Sequence, residues 1–195
     1  RARALLAHLG VAARGRLASL HEHNEEARVA ATVAALAAGR SAALVSDAGT
    51  PVLSDPGFPL VRAVRAAGLP VASLPGASSF TAALAASGQP PLPAVLCGFL
   101  PARAGPRKQR IAELGRWPWT LVVLLSPHRL RRELEDLAAA LGGARPATLL
   151  AEISKLHERA ASATLTELAA GSDAGLSASS ALVRSIHRRP FRQFV

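Results

Sequence analysis

Methionine and tyrosine are absent from this chain of 195 residues, and cysteine occurs once. A single cysteine excludes an intramolecular disulfide framework and agrees with a reducing compartment. The thiol of Cys97 lies among Val95, Leu96 and Phe99, and such apolar neighbours predict a buried, unreactive side chain. Because the chain begins at Arg1 and contains no methionine, we expect it to be a fragment or a processed form of a longer protein.

Long hydrophobic runs are also missing. No apolar run approaches the roughly 18 residues that suggest a membrane-spanning helix, and no signal-peptide pattern opens the chain. Hydrophobic residues nevertheless make up 50% of the chain and its mean hydropathy is +0.24, which excludes an intrinsically disordered protein. We therefore predict a soluble cytoplasmic protein with one large domain or two small ones.

Acidic residues are outnumbered by basic ones. The chain has 23 Lys and Arg against 13 Asp and Glu, which gives a net charge of +10. This excess favours a polyanionic partner such as a nucleic acid, or an acidic small molecule. Arginine far outnumbers lysine and alanine is abundant, a composition that is also typical of coding bias, so the charge alone does not identify the partner.

A short apolar run followed by a polar loop is the most informative local pattern. The run Ala42–Val45 has the length of a buried strand and stops at Ser46 and Asp47. Gly and Pro residues interrupt the chain from there to Pro59, where helical spacing resumes. Since open α/β sheets bind ligands at the carboxyl ends of their strands, this loop is a predicted ligand site, with the Asp47 carboxylate as an acceptor for amino or hydroxyl groups. Its alternative is a simple turn before an Asp-Pro helix start.

Two further loops have the same character. The loop Pro75–Ser79 lies between a predicted strand and a predicted helix. Ser78 or Ser79 can cap that helix, so that its free N–H groups form an anion or carboxylate site. A third loop, Gly98–Pro101, follows another apolar run.

Hydrophobic periodicity predicts an α/β chain with alternating helices and strands. Asn24 is the predicted N-cap of the second helix. The proline-rich run Gln89–Pro93 and a change in charge place the boundary between two lobes near residue 98. The predicted helices are 3–9, 25–38, 60–67, 80–86, 106–115, 127–141 and 164–170, and the predicted strands are 16–20, 42–46, 70–74, 94–97, 119–125 and 147–151. The predicted domains are an N-terminal α/β lobe over 1–98, a C-terminal α/β lobe over 99–171, and a loose tail without a strand over 172–195.

Two charged segments are candidates for binding or catalysis. The first is a phosphate-contact patch for RNA, with solvated loop charge as its alternative. The second is the densest titratable cluster of the chain, with a solvated turn held by ordinary ion pairs as its alternative. The first contains Arg103, Arg107, Lys108 and Arg110, and the second contains Glu152, Lys155, His157 and Glu158.

Other residues with chemical potential receive structural interpretations. His21 and His23 alternate as two metal ligands on a strand would, but no third ligand with clear spacing follows, so we predict no metal site. Trp117 and Trp119 flank Pro118 before a predicted strand, and this arrangement is more typical of packing within a lobe than of base stacking.

Five motifs occur in one order along the chain. They are Ser46–Pro51 with Ser54–Gly57, then Leu74–Gly76, Gly98–Pro101, Ser126–Arg129 and Glu152–Glu158, and the segment His21–Glu25 precedes them. Together they resemble the tetrapyrrole-methylase fold family, and within it the bacterial branch that 2′-O-methylates a cytidine ribose in 16S rRNA of the small ribosomal subunit. The resemblance covers about residues 1–170.

The resemblance implies a two-lobed tetrapyrrole-methylase-like α/β fold with a mainly parallel sheet in the first lobe and a mixed sheet in the second. It also implies a homodimer, and S-adenosyl-L-methionine bound in the cleft between the lobes, largely by backbone groups. Carried over residue by residue, the cofactor-binding residues are Asp47, Ala48, Gly49, Thr50, Pro51, Ala77, Ser78, Ser79, Phe99 and Leu100.

Methylation of a ribose 2′-hydroxyl requires an in-line approach to the methyl group and removal of a proton from a weakly acidic alcohol. A lysine that is desolvated beside an apolar wall can lose its proton and serve as the base. Together with the resemblance, this predicts Lys155 as the catalytic base, oriented by Glu152, with Glu158 in the same catalytic cluster. The predicted RNA-binding residues are Arg103, Arg107, Lys108 and Arg110.

Two other functions fit the same sequence. A precorrin-type tetrapyrrole C-methyltransferase would bind a polycarboxylate that suits the positive charge, although the basic segment and the Glu152–Glu158 motif favour RNA. The other is an inactive truncated homologue that acts only as an RNA-binding or dimerisation module. Family members begin with a strand and a Pro-Ile-Gly-Asn-type loop, and no such segment precedes Arg1, so we expect the chain as given to bind the cofactor poorly.

Overall fold

The computed structural model describes residues 2–12, 15, 17–21, 23–47, 49–171 and, for the backbone, 180–184. Contacts divide the chain into two compact units, Arg1–Ser78 and Ser79–Val195. This division falls earlier than the boundary predicted near residue 98. The reason is that the strand Ala94–Phe99 pairs with the strand Thr120–Leu125, and both therefore belong to the second unit.

In the first unit, the described residues form three helices, close to their predicted positions. They are α1 (Ala2–His8), α2 (Glu25–Ala37) and α3 (Phe58–Ala66). Asn24 precedes α2, but its side chain does not cap the helix. Its Oδ1 instead accepts a hydrogen bond from the backbone N–H of His21 at 2.9 Å, and its Nδ2 donates to the carbonyl of Ser19 at 3.1 Å. The predicted cap residue therefore fastens the segment before the helix.

The strands predicted in the first unit are not formed in the residues described there. Residues 17–20, 42–46 and 70–74 belong to no β-ladder, so the mainly parallel sheet expected in this lobe is absent from its described part. A strand exists only through hydrogen bonds to a neighbouring strand, whatever its own hydrophobicity. Val45, in the run that was predicted to be a buried strand, is 59% exposed.

The second unit contains a mixed five-stranded sheet, and this sheet confirms the α/β class. Its strands are β1 (Ala94–Phe99), β2 (Thr120–Leu125), β3 (Pro146–Ala151), β4 (Arg159–Thr164) and β5 (Ser180–Arg184), in the spatial order β1-β2-β5-β3-β4. β1 is parallel to β2, and the other three neighbouring pairs are antiparallel.

Two strands of this sheet escaped the sequence prediction. β4 lies between the charged segment Glu152–Glu158 and the predicted helix 164–170, where no element was predicted, and β5 lies inside the predicted loose tail. β5 pairs with β2 on one side and β3 on the other, so this part of the tail is the central strand of the sheet. The loose-tail prediction is therefore wrong for 180–184, and its remaining residues, 172–179 and 185–195, lie outside the described part of the chain.

Helices cover both faces of the sheet. α4 (Ser79–Ser87) packs on one face, where Ala83 meets Val122 and Leu150. α5 (Ala104–Leu114), α6 (Leu130–Leu141) and α7 (Leu165–Gly171) pack on the other face and form the main core. A short 3-10 turn, Pro127–Arg129, leads into α6. Of the helices that the structure describes, none has both the length and the apolar character needed to cross a membrane.

Cys97 lies on β1 and is partly buried, whereas its apolar neighbours predicted a buried side chain. Burial raises the pKa of the thiol from 9.0 to about 11, and the nearby positive charge of Arg110 opposes this shift only in part. The free energy of unfolding should therefore fall as the pH rises from about 9 to about 11, because the unfolded chain loses this proton first.

We predict that folded protein reacts with iodoacetamide at pH 8 about 100-fold more slowly than urea-unfolded protein, because the thiolate is the reactive form. The two rates can be measured by mass spectrometry without further mutations, since Cys97 is the single cysteine. Equal rates in the two states would show that the thiol is freely accessible in the fold.

Candidate active site

The carboxyl ends of three strands meet at one edge of the sheet. β1 runs parallel to β2, and β3 also runs in the direction of β2, because β5 lies between them and is antiparallel to both. The register places the three ends level: Phe99 pairs with Leu124, and Ser180 pairs with both Leu125 and Ala151.

Three of the five sequence motifs therefore lie at this edge. The segments Leu100–Arg103, Ser126–Arg129 and Glu152–Glu158 follow β1, β2 and β3, and we refer to them together as the carboxyl edge. The last two begin two strand spacings apart, about 10 Å. Loops at the carboxyl ends of parallel strands are where α/β proteins bind their ligands, so the topology makes this edge a candidate active site.

Arg107 holds the loop after β1. It is 5% exposed, and its Nη1 donates to the carbonyl oxygen of Ala102 at 2.8 Å. Its Nε donates to the carboxylate of Asp136 at 2.7 Å. Arg107 was predicted to contact RNA phosphates, and the structure corrects this prediction, because the guanidinium is buried and already paired.

Glu133 holds the loop after β2. Its side chain is fully buried, and its two oxygens accept hydrogen bonds from the backbone N–H of Ser126 at 2.9 Å and from Nε of Arg129 at 3.0 Å. A buried carboxylate is stable only when it is paired and hydrogen-bonded, and here both partners come from one motif. Glu133 therefore fixes the start and the end of Ser126–Arg129.

Sequence reasoning missed the roles of Glu133 and Asp136, which lie three residues apart on α6. A signal was present for Glu133, because it follows Leu130 by three residues and precedes Leu137 by four, on the apolar stripe of the helix. A carboxylate on a buried stripe indicates a specific partner. Asp136 carried no comparable signal.

The loop after β3 contains the predicted catalytic cluster. Nζ of Lys155 lies 3.0 Å from Oε2 of Glu152, and Oε2 of Glu158 accepts a hydrogen bond from the backbone N–H of Ser154 at 2.7 Å. Glu152 and Ser154 both have positive φ angles, 53° and 64°. Such angles are uncommon for residues other than glycine and often mark functional sites. The structure therefore brings the three predicted catalytic residues into one tight turn.

Glu152 and Lys155 have different surroundings in this turn, with different consequences for catalysis. Oε1 of Glu152 is buried and has no hydrogen-bond partner among the described residues, so it is available to a donor from a ligand. The Lys155 side chain, in contrast, is 52% exposed. The desolvated lysine that was predicted is therefore not present in this arrangement.

In the first unit, the structure brings two of the predicted cofactor loops together. Oγ1 of Thr50 donates to the carbonyl of Ala77 at 3.3 Å, across 27 residues of sequence. Gly49 has a φ angle of 78°, and a Cβ at this position would lie 3.9 Å from the same carbonyl. Asp47, three residues before Thr50 in the sequence, is exposed. Ala48 lies outside the described residues.

A second contact closes the same loop from the other end. Glu25, which is 8% exposed at the start of α2, accepts a hydrogen bond from the backbone N–H of Gly57. Gly57 has a φ angle of 131°, and a Cβ there would lie 2.6 Å from a methyl carbon of Leu44. The segment His21–Glu25 thus supports the motif Ser54–Gly57, a role that the sequence did not reveal.

The remaining predicted cofactor- and RNA-binding residues differ in their exposure to solvent. In the second unit, Phe99 is 52% exposed and Leu100 is buried in the core, so Leu100 can offer a ligand little beyond its backbone. Arg103, Lys108 and Arg110 are exposed, as phosphate contacts must be. Within the described ranges, no three His, Cys, Asp or Glu side chains are grouped as metal ligands.

Comparisons with known proteins identify a family and several relatives. The family described as Tetrapyrrole (Corrin/Porphyrin) Methylases matches residues 2–169. Ribosomal RNA small subunit methyltransferase I of Xylella fastidiosa is 44% identical over 166 residues, which cover 85% of this chain and 60% of that protein. The protein of the same name from Escherichia coli O157:H7 is 42% identical over 166 residues, which cover 85% of this chain and 57% of that protein. The chain thus spans about three-fifths of the length of these curated relatives.

A solved structure shares the fold at lower sequence similarity. Diphthine synthase superposes with a TM-score of 0.70 at 17% identity, covering 93% of this chain and 72% of that one.

We predict that Glu133→Gln lowers the free energy of unfolding by about 2 kcal/mol, because the amide loses the charge and turns one N–H toward another donor. Glu135→Gln is the matched control on the same helix, since Glu135 is exposed and its ion pair with Arg131 should contribute less than about 0.5 kcal/mol. Urea unfolding of both variants measures the difference. Equal losses would mean that Glu133 does not stabilise the loop.

Proposed function

Because the chain belongs to the tetrapyrrole (corrin/porphyrin) methylase family, we propose that it serves the S-adenosylmethionine-dependent 2′-O-methylation of a cytidine ribose in 16S rRNA. The observation that carries this proposal is the convergence of three motif segments at the carboxyl edge. The choice of rRNA as substrate is supported by the relatives named as ribosomal RNA small subunit methyltransferase I.

Cofactor binding is assigned in this proposal to Asp47–Pro51, Ala77–Ser79, Phe99 and Leu100. The contact between Thr50 and the Ala77 carbonyl supports it, because small residues and open backbone groups suit a cofactor that is held mainly by main-chain hydrogen bonds. The exposed carboxylate of Asp47 is an acceptor for the amino or hydroxyl groups of such a ligand. When bound, S-adenosylmethionine supplies an electrophilic methyl group on a sulfonium centre.

Proton removal is assigned to the turn after β3. In this proposal Nζ of Lys155 takes the proton of the ribose 2′-hydroxyl, while Oε2 of Glu152, 3.0 Å away, orients the amine. Glu158 holds the turn through the backbone N–H of Ser154. Lys155 is half exposed without RNA, so the proposal requires that the bound RNA covers it and supplies the missing desolvation.

RNA contacts are assigned to the exposed cations Arg103, Lys108 and Arg110, and no longer to Arg107. Phosphate contacts need charges that a polyanion can reach, and these three side chains meet that condition. A homodimer in the cytoplasm completes the proposal, on the strength of the family resemblance and of an rRNA substrate.

Tetrapyrrole C-methylation is the second candidate. It is supported by the family's description and by the net charge of +10, which suits a polycarboxylate substrate. Methyl transfer assays with small ribosomal subunits and with a porphyrinogen substrate, run side by side, separate the two candidates.

We predict that Lys155→Met lowers kcat for methyl transfer to 30S subunits about 10²- to 10⁴-fold, because a general base contributes that much. Lys155→Arg should fail to rescue it, since arginine keeps the charge but does not release a proton near neutral pH. Lys108→Met is the control, with an expected change in KM for the RNA. Tritiated-methyl transfer measures all three variants, and activity in Lys155→Arg would show that Lys155 acts only as a cation.

In a form of the protein that binds S-adenosylmethionine, we also predict that Asp47→Ala weakens this binding about 10- to 100-fold, the effect of losing a hydrogen bond to a charged group. Thermal unfolding should stay nearly unchanged, because Asp47 is exposed. Glu26→Ala, which removes an exposed carboxylate from α2, should alter neither property. Isothermal titration calorimetry measures the affinities, and an unaltered value for Asp47→Ala contradicts the assignment.

A further inference from the structure

An exposed tryptophan lies outside the site described above. Trp117 is 46% exposed, although tryptophan is among the residues that proteins bury most on average. Its ring lies next to that of Trp119, with 4.7 Å between the ring centroids and 40° between the ring planes. The neighbouring ring holds Trp117 in place and leaves part of its surface open to solvent.

Charged side chains surround this tryptophan. A surface cleft is lined by Arg110, Glu113, Arg116 and Trp117. Nη1 of Arg110 lies 3.2 Å from the carboxylate of Glu113, and both side chains are about half exposed. Arg116 is exposed as well, so the cleft combines an aromatic surface with a net positive charge.

The cleft and the carboxyl edge lie at opposite ends of β2. Trp117 precedes Thr120, the first residue of β2, whereas Ser126 follows its last residue. Six strand residues separate the two by about 20 Å. α5 connects them, since its N-cap Arg103 belongs to the carboxyl edge and Arg110 lies near its other end. Arg103 and Arg110 are seven residues apart, about two helical turns, and therefore lie on the same side of α5.

We propose that this cleft binds a single-stranded nucleotide of the RNA substrate, with its base stacked on Trp117 and its phosphates near Arg110 and Arg116. The inference rests on the proposed function, because it takes RNA as the substrate. Aromatic side chains beside cations are the usual means by which proteins bind unpaired nucleotides, since every base presents a face for stacking. An RNA that reaches the carboxyl edge would contact the protein at a second, distant point.

This assignment replaces the expectation that both tryptophans serve only packing. Trp119 is partly buried and fulfils that role, but a packing role does not account for the open surface of Trp117 or for the two arginines beside it. Among the described residues that line the cleft, Glu113 is the one group that opposes a phosphate. Substitution of Glu113 should therefore change RNA affinity in the opposite direction to substitution of Trp117. Without Glu113, Arg110 is free to pair with a phosphate, and binding should be stronger.

The composition of the chain supplies a specific probe. One of its two tryptophans lines this cleft, the other lies against the first, and the chain has no tyrosine, so intrinsic tryptophan fluorescence reports on the cleft and its immediate surroundings. We expect an unlabelled single-stranded RNA oligonucleotide to quench this fluorescence, with the same midpoint as the anisotropy change of a fluorescein-labelled copy of that RNA.

Variants test the contribution of each group. Trp117→Ala should weaken RNA binding about 5- to 100-fold, and Trp117→Phe should weaken it less, because a smaller ring still stacks. Glu113→Gln should strengthen binding a few-fold, while Arg131→Ala, which removes an exposed arginine of a similar ion pair on α6, should not change it. In methyl transfer to 30S subunits, the loss in Trp117→Ala should appear in KM rather than in kcat, because the cleft is distant from the carboxyl edge.

Several outcomes overturn the proposal. RNA binding by anisotropy without tryptophan quenching, and with equal affinity in Trp117→Ala and Glu113→Gln, places the RNA elsewhere and leaves the proposed function intact. No RNA binding in either measurement contradicts the cleft and the proposed substrate together. If Trp117→Ala changes the oligomeric state by light scattering while its RNA affinity is unaltered, the cleft is an interface between copies of the chain.

Discussion

Two carboxylates one helical turn apart on α6 hold the loops that follow β1 and β2. Glu133 accepts hydrogen bonds from both ends of the segment Ser126–Arg129, and Asp136 pairs with Arg107, which in turn holds the carbonyl of Ala102. Removing a carboxylate from water costs several kcal/mol unless its hydrogen bonds are replaced, so these two groups tolerate few other arrangements. The packing of α6 on the sheet is thereby coupled to the shape of two loops of the candidate active site. The leucines of α6 pack the helix against the sheet, whereas Glu133 and Asp136 hold the two loops.

In the first unit, too, side chains hold a loop by hydrogen bonds to main-chain groups, although fewer of these side chains are buried. Glu25 holds the backbone of Gly57, and Thr50 holds that of Ala77, so the long loop after residue 46 is attached at two points. One attachment uses the main chain of Gly57 and the other uses the side chain of Thr50, and neither involves the side chain of Asp47. A binding loop that is held at such points can present small residues and still keep its shape. This property suits a cofactor that is recognised mainly through main-chain hydrogen bonds.

The helices were predictable from the sequence because their buried apolar residues recur every three or four positions, as the leucine stripe of α6 shows. β2 and β3 were predictable for a related reason, since buried central strands are continuous apolar runs. β4 was not, because Arg-Ala-Ala-Ser-Ala-Thr has no period and its place depends on pairing with β3. The motif loops could be located by their glycines and prolines. Their contacts could not, because Thr50 and Ala77 are 27 residues apart, Glu25 and Gly57 are 32 apart, and a buried Arg107 looks like any other arginine in sequence.

The position of β5 determines when the sheet can be completed during synthesis. Its five residues form the last of the described strands in chain order but the central strand of the sheet. During synthesis, β1 and β2 can pair, and so can β3 and β4, yet the two pairs have no ladder between them until Arg184 has left the ribosome. Until then, β2 and β3 each expose an unpaired apolar edge, which is the kind of surface that draws chains into aggregates. Insertion of β5 closes both edges in one event, so the carboxyl edge and its three loops come into register only after β5 has been translated.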